Sequence, residues 1–221
     1  MWRRVAWWAV VVSGWVVAGY GLALAVLGDR MYPPDLAESF RAHAWGIGTH
    51  AGFGALAMVL GPWQFRRGPG WHRGRHRWIG RGYLIACGLS GGAGLYLAPY
   101  TFGGMTTHLG FGSLAVVLLL VSSLGFLAIR QRRVDAHREW MIRSYALIFA
   151  AVTLRFELPL LSAALGDFLP AYRIIAWMCW VPNLLAAEWY IRRTRTAARA
   201  TLPTLELPVA VSAARPAGGA R

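Results

Sequence analysis

Residues 108–129 read HLGFGSLAVVLLLVSSLGFLAI, a run without a single Asp, Glu, Lys or Arg. A helix rising about 1.5 Å per residue needs roughly 20 mostly apolar residues to cross a bilayer. Five further windows have that character: 5–27, 46–64, 82–100, 144–164 and 171–191. The expected fold is therefore all-α, a polytopic six-helix bundle over residues 1–195. From 196 to 221 the chain turns Ala-, Pro-, Thr- and Gly-rich without periodicity, and a disordered cytoplasmic tail is expected there. Nothing between the windows is long enough for a second domain.

The first window follows Met1-Trp2-Arg3-Arg4 and invites comparison with a signal peptide. Its apolar run exceeds the usual core of about 7–15 residues, so it is expected to stay as a helix. Ala23-Leu24-Ala25 is only a weak cleavage-like site.

A net charge of +14 raises the question of nucleic acid, and its distribution answers it. All 23 basic residues are Arg, and all but Arg30, Arg41, Arg155 and Arg173 fall on one side of a six-helix arrangement. They lie in the amino terminus, the second and fourth connections and the tail. Cytoplasmic loops carry this excess. Both termini are thus expected in the cytoplasm, with the Arg-rich face against anionic headgroups and no nucleic-acid partner. Cys87 and Cys179 both fall within expected spans and give no disulfide framework. No Cys, Asp or Glu cluster marks a hydrolytic metal centre.

The chain also repeats itself. Thr49-His50-Ala51-Gly52-Phe53-Gly54-Ala55-Leu56-Ala57 opens the second span, and Thr107-His108-Leu109-Gly110-Phe111-Gly112-Ser113-Leu114-Ala115 opens the fourth. The following connections echo each other as His-Arg-(x)-Trp-x-x-Arg-x-Tyr. One copy is His76-Arg77-Trp78 through Arg81 and Tyr83; the other is His137-Arg138 through Trp140, Arg143 and Tyr145. Spans 2–3 and 4–5 are expected to be copies of one hairpin, related by an axis along the membrane normal.

Such an axis places His50 and His108 at one depth on facing helices, and His76 and His137 at another. Paired neutral imidazoles are the axial ligands of a low-spin b-type haem. The expected haem-iron ligands are accordingly His50 with His108, and His76 with His137. Propionates would need cations: Arg155 and Arg41 toward the outer side, Arg81 and Arg143 toward the inner. The plainer reading is that small residues serve helix packing and the histidines are merely duplicated with the hairpin.

Charged groups inside spans are functional candidates by default. Arg155, Glu157 and Glu188 are the ones here. They support an alternative, a cofactor-free transporter or assembly protein, with Glu157 as a counter-ion for Arg155 and Glu188 paired to Arg143 or Arg81. Pro182-Asn183 is expected to kink the last span, with Asn183 serving the freed carbonyls.

The set His50, Gly61-Pro62-Trp63-Gln64-Phe65, His76-Arg77, Gly80-Arg81-Gly82-Tyr83, the segment His137 to Tyr145, Val152-Thr153-Leu154-Arg155, Trp180-Val181-Pro182-Asn183 and Glu188-Trp189 resembles the bacterial predicted membrane proteins of domain-of-unknown-function family 2306. The resemblance covers about residues 40–193. It implies a multi-pass protein of the bacterial inner membrane and brings no activity. The order of helices and histidines is also similar to that of transmembrane two-haem b-type cytochromes. That likeness implies electron transfer, with a redox partner or a quinone as the exchange partner.

Overall fold

The computed structural model describes residues 2–65 and 73–200. Among these residues the regular structure is entirely helical. Helix α1 (Trp2–Leu27) leads through two 3-10 turns to the short α2 (Ala37–Ala42), then α3 (Ala44–Gln64) and α4 (Arg73–Leu97). A 3-10 turn at Ala98–Tyr100 precedes α5 (Met105–Arg130). The rest is α6 (Val134–Ile148), α7 (Ala150–Leu165), α8 (Phe168–Met178) and α9 (Val181–Ala200). The end where α1 begins is called here the near end, and the end carrying α2 the far end.

Among the described residues, four stretches are long and apolar enough to cross a membrane: Val5–Met31, Met105–Arg130, Val134–Leu165 and Phe168–Thr196. The last two are α6 with α7 and α8 with α9, each continuous but for a brief irregularity. The α6–α7 joint is the single residue Phe149, whose N–H still reaches the Tyr145 carbonyl at 2.9 Å. At the α8–α9 joint, Pro182 has no N–H to offer the Met178 carbonyl, and Asn183 serves the next carbonyl along. Its Nδ2 donates to the Cys179 carbonyl at 3.0 Å and to Thr153 Oγ1 at 2.9 Å.

Helices α3 and α4 fall outside those four stretches. Glycine, histidine and tyrosine dilute their hydropathy, and their surroundings explain why this is tolerated. Helix α3 packs between α1 and α4, and α4 between α3 and α5. Close approach needs small residues, and the glycines mark the contacts. A Cβ on Gly21 would lie 3.2 Å from the Ala51 carbonyl, and one on Gly54 3.2 Å from Ser90 Oγ. One on Gly110 would lie 2.8 Å from the Ala176 carbonyl, and one on Gly61 would overlap the Tyr145 ring.

The near half is locked by polar contacts. Tyr83 hydroxyl and Ser144 Oγ are 2.9 Å apart, as are Ser122 Oγ and Ser144 Oγ, which joins α4, α5 and α6 through buried groups. The connection between α7 and α8 uses Gly166 at φ +67°, a left-handed turn that glycine adopts without a Cβ penalty. Asp167 then caps α8, accepting from the Leu169 N–H at 3.0 Å. Helix α9 continues to Ala200, past the expected start of the tail. The remainder of that expectation, residues 201–221, lies outside the described residues, as do His72, Arg66 and Arg67.

Candidate functional site

His50 sits on the inward face of α3. At 3.6 residues per turn it shares that face with Gly46, Ala57 and Gly61, all of which are buried. His50 itself is exposed. The ring is held on one side: Nδ1 is 2.9 Å from the Ser90 carbonyl of α4. A carbonyl only accepts, so Nδ1 carries the proton and Nε2 keeps a free lone pair. Ser90 Oγ also donates to the His50 carbonyl at 2.9 Å, fixing the helix beside the ring.

Arg155 stands on the inward side of α7 at the same depth. Its Nη1 donates to the Ala151 carbonyl at 3.0 Å, and its guanidinium carbon lies 4.8 Å over the Tyr20 ring of α1. Its Nε is fully buried with no hydrogen-bond partner. Tyr20 of α1 lies under Arg155 and its neighbour Gly21 lies against Ala51, next to His50, which brings the two groups to one level of the bundle. A charged side chain at mid-bilayer costs about 2.5–3.5 kcal/mol on insertion scales. No carboxylate offsets it: the ion pairs among the described residues are Arg143–Glu188 and Arg195–Glu139. Glu157 is not its counter-ion. Two residues along a helix place side chains about 200° apart, and no ion pair joins Arg155 and Glu157. Its Oε2 is buried without a partner.

His108 spends its ring differently. Nε2 lies 3.0 Å from the Thr101 carbonyl, which makes Nε2 the protonated nitrogen. No hydrogen bond joins His50 and His108. At the near end, His137 Nδ1 is 2.8 Å from the Gly125 carbonyl, again leaving Nε2 free. His76 is half-buried in the first turn of α4 and close enough to His137 for the two rings to repel when charged. His43 contacts Tyr96 hydroxyl at 3.0 Å and stacks on Tyr100.

The arginines offered to propionates have other partners. Arg143 grips Glu188 with two donors, Nη2 to Oε2 at 3.0 Å, and lies 4.5 Å over the Trp140 ring. Arg81 lies 4.8 Å over the Trp78 ring. Glu188 is thereby the partner of Arg143, one of its two expected partners. A small cavity of about 30 Å³ lies under α2, bordered by Ile47, Tyr100, Thr101 and Tyr172. Ile47 is one helical turn from His50. Groups of three or more His, Cys, Asp or Glu able to hold a metal ion do not occur among the described residues.

The features missed in the sequence were the orphaned Arg155 Nε and the carbonyl partners of the histidines. The helix spacing of 155 and 157 was the available signal for the first. The second depends on which helices become neighbours.

An all-helical chain with four apolar stretches of spanning length, glycine-mediated packing and charged groups held inside defines a helical membrane protein. The chain belongs to the predicted membrane protein family DUF2306, whose model matches residues 47–191. No curated protein and no solved structure matches it.

Proposed function

We propose that this protein binds b-type haem and passes electrons across or along the bacterial inner membrane. The observation carrying this reading is His50, with Nδ1–H tied to the Ser90 carbonyl and a free Nε2. Metal-bound histidines characteristically donate their second ring N–H to a carbonyl in this way. His137 on Gly125 has the same form. His50 and His108 would hold an outer haem, and His76 and His137 an inner one. His108 fits only by giving up its bond to Thr101. When bound, the haem supplies a one-electron couple. The chain fixes the rings through Ser90 and Gly125, offers Arg155 to a carboxylate, and keeps water out with the apolar core around Phe53, Phe111 and Leu158.

The bundle in this reading crosses six times: α1, α3, α4, α5, α6 with α7, and α8 with α9. Both termini lie in the cytoplasm because Arg75, Arg77, Arg130, Arg132, Arg133 and Arg193 gather at the near end. That face would meet anionic headgroups and a redox partner or quinone. An internal duplication is supported by one contact made twice, Arg81 over Trp78 and Arg143 over Trp140, each three residues apart. Protein purified from haem-sufficient cells is expected to show a Soret band that His50→Ala removes. A colourless preparation with no pyridine-extractable haem ends this reading.

Glu157 favours a second reading, a cofactor-free carrier of a proton or small solute. A carboxyl oxygen buried without a partner in a spanning stretch is suited to holding a proton. Glu188, committed to Arg143, serves the packing of α6 on α9, which leaves Glu157 as the carboxylate free to work. Uptake by liposomes containing colourless protein, lost in Glu157→Gln, would select this reading over haem.

A further inference from the structure

We propose that Arg155 is the anchor of a binding site for a lipophilic carboxylate in the far half of the bundle. The site has three observed parts. Arg155 presents a buried Nε–H without an acceptor. Its only hydrogen bond goes to a carbonyl of its own helix, and its other partner is a tyrosine face. At the same level, His50 faces inward with Nδ1 committed to the Ser90 carbonyl and Nε2 unspent. These parts come from α7, α1 and α3, with α1 packed against both of the others. The position is therefore fixed by the bundle, independent of any loop.

The chemistry selects the ligand. A guanidinium is a planar fork that matches a carboxylate with two parallel N–H···O bonds, stronger than neutral ones. With its Nη1 turned to Ala151, Arg155 keeps Nε and Nη2 for such a pair. The surrounding side chains are apolar and aromatic, which suits a ligand with a hydrocarbon body. Free inorganic anions lack that body and would lose their hydration shell for one cation. The carboxylate has two possible sources, a haem propionate or a free amphipathic acid. The inference rests on the haem reading for the first source alone.

Full-length protein in nonionic detergent, titrated calorimetrically with decanoate and with decanol, tests it; a parallel sample takes up hemin, read by its Soret band. If the source is a free acid, colourless protein binds decanoate at least tenfold more weakly in Arg155→Gln, while decanol binding stays the same in both. That outcome stands even where the haem reading fails. If the source is haem, hemin affinity falls at least tenfold in Arg155→Gln and decanoate competes with hemin. If neither probe distinguishes Arg155→Gln from the natural chain, the inference is overturned. Should Arg155→Gln fail to fold, Arg155→Lys carries the test: it keeps the charge and loses the fork. Binding is then expected to weaken at least threefold, and unchanged affinity for both probes overturns the proposal.

Discussion

Arg143 and Glu188, 45 residues apart in the chain, form a two-donor ion pair that fastens α6 to α9. Both side chains are largely shielded, with 13% and 30% of their surfaces exposed. Removing one partner of a shielded pair leaves the other charge uncompensated, which costs more than the pair contributes. Glu188→Ala is expected to destabilise the protein by about 2 kcal/mol, below the 3–5 range of fully buried pairs because solvent reaches the carboxylate. The double variant Arg143→Ala/Glu188→Ala should recover part of that loss. Thermal unfolding in detergent, arranged as a double-mutant cycle, measures the coupling.

Gly110 and Gly92 offer a paired comparison. A Cβ at 110 presses on the Ala176 backbone, which cannot swing away, whereas one at 92 meets nothing within 4 Å. Gly110→Ala is expected to cost about 1–3 kcal/mol, the range for overpacked interiors. Gly92→Ala should be neutral or stabilising by up to about 1 kcal/mol, since alanine is the better helix former. Equal melting temperatures for the two variants would contradict the close α5–α8 approach.

Much of this arrangement was legible in the sequence, for definite reasons. Uncharged runs such as 108–129 announced spanning helices because length and apolarity are local properties. The break before Pro182 and a bond from Asn183 to a nearby carbonyl were legible because both lie within one turn. The pairing of Glu188 was legible only to a choice between Arg143 and Arg81, since the choice depends on α6 packing on α9. The relation of Arg155 to Glu157 was misjudged from proximity in sequence, although helix geometry sends the two in opposite directions. The Phe149 joint had no sequence signal, having neither glycine nor proline beside it. The roles of the histidines were hidden too, because the carbonyls of Ser90, Thr101 and Gly125 are backbone atoms whose positions no side-chain pattern encodes.

Six crossings with both ends inside make a definite pattern of exposure. Gly104 and Gly166, in the two far-end turns, should then lie outside the cytoplasm, and Arg132, in the near-end turn, within it. Alkaline phosphatase, active only after export, is expected to work when fused after Gly104 or Gly166 and to stay inactive after Arg132. Activity at Arg132 would invert the orientation. Activity at all three, or at none, would break the count.

His76 supplies a pH test at the near end, ahead of the expected span. Burial, and then the neighbouring His137, holds its imidazole below the usual 6.5. A base whose folded-state pKa is depressed binds fewer protons folded than unfolded. Stability therefore rises with pH between the depressed value and 6.5, and falls when the medium is acidified through that window. The melting temperature of the natural protein should drop as pH goes from 7.5 to 5.5, and His76→Gln, which cannot take up the proton, should show a shallower drop. His137→Gln should leave the burial contribution in place and remove only the repulsion, giving a slope between the two. If His76→Gln matched the natural protein across the whole range, the ring would have to be freely hydrated and not packed against His137.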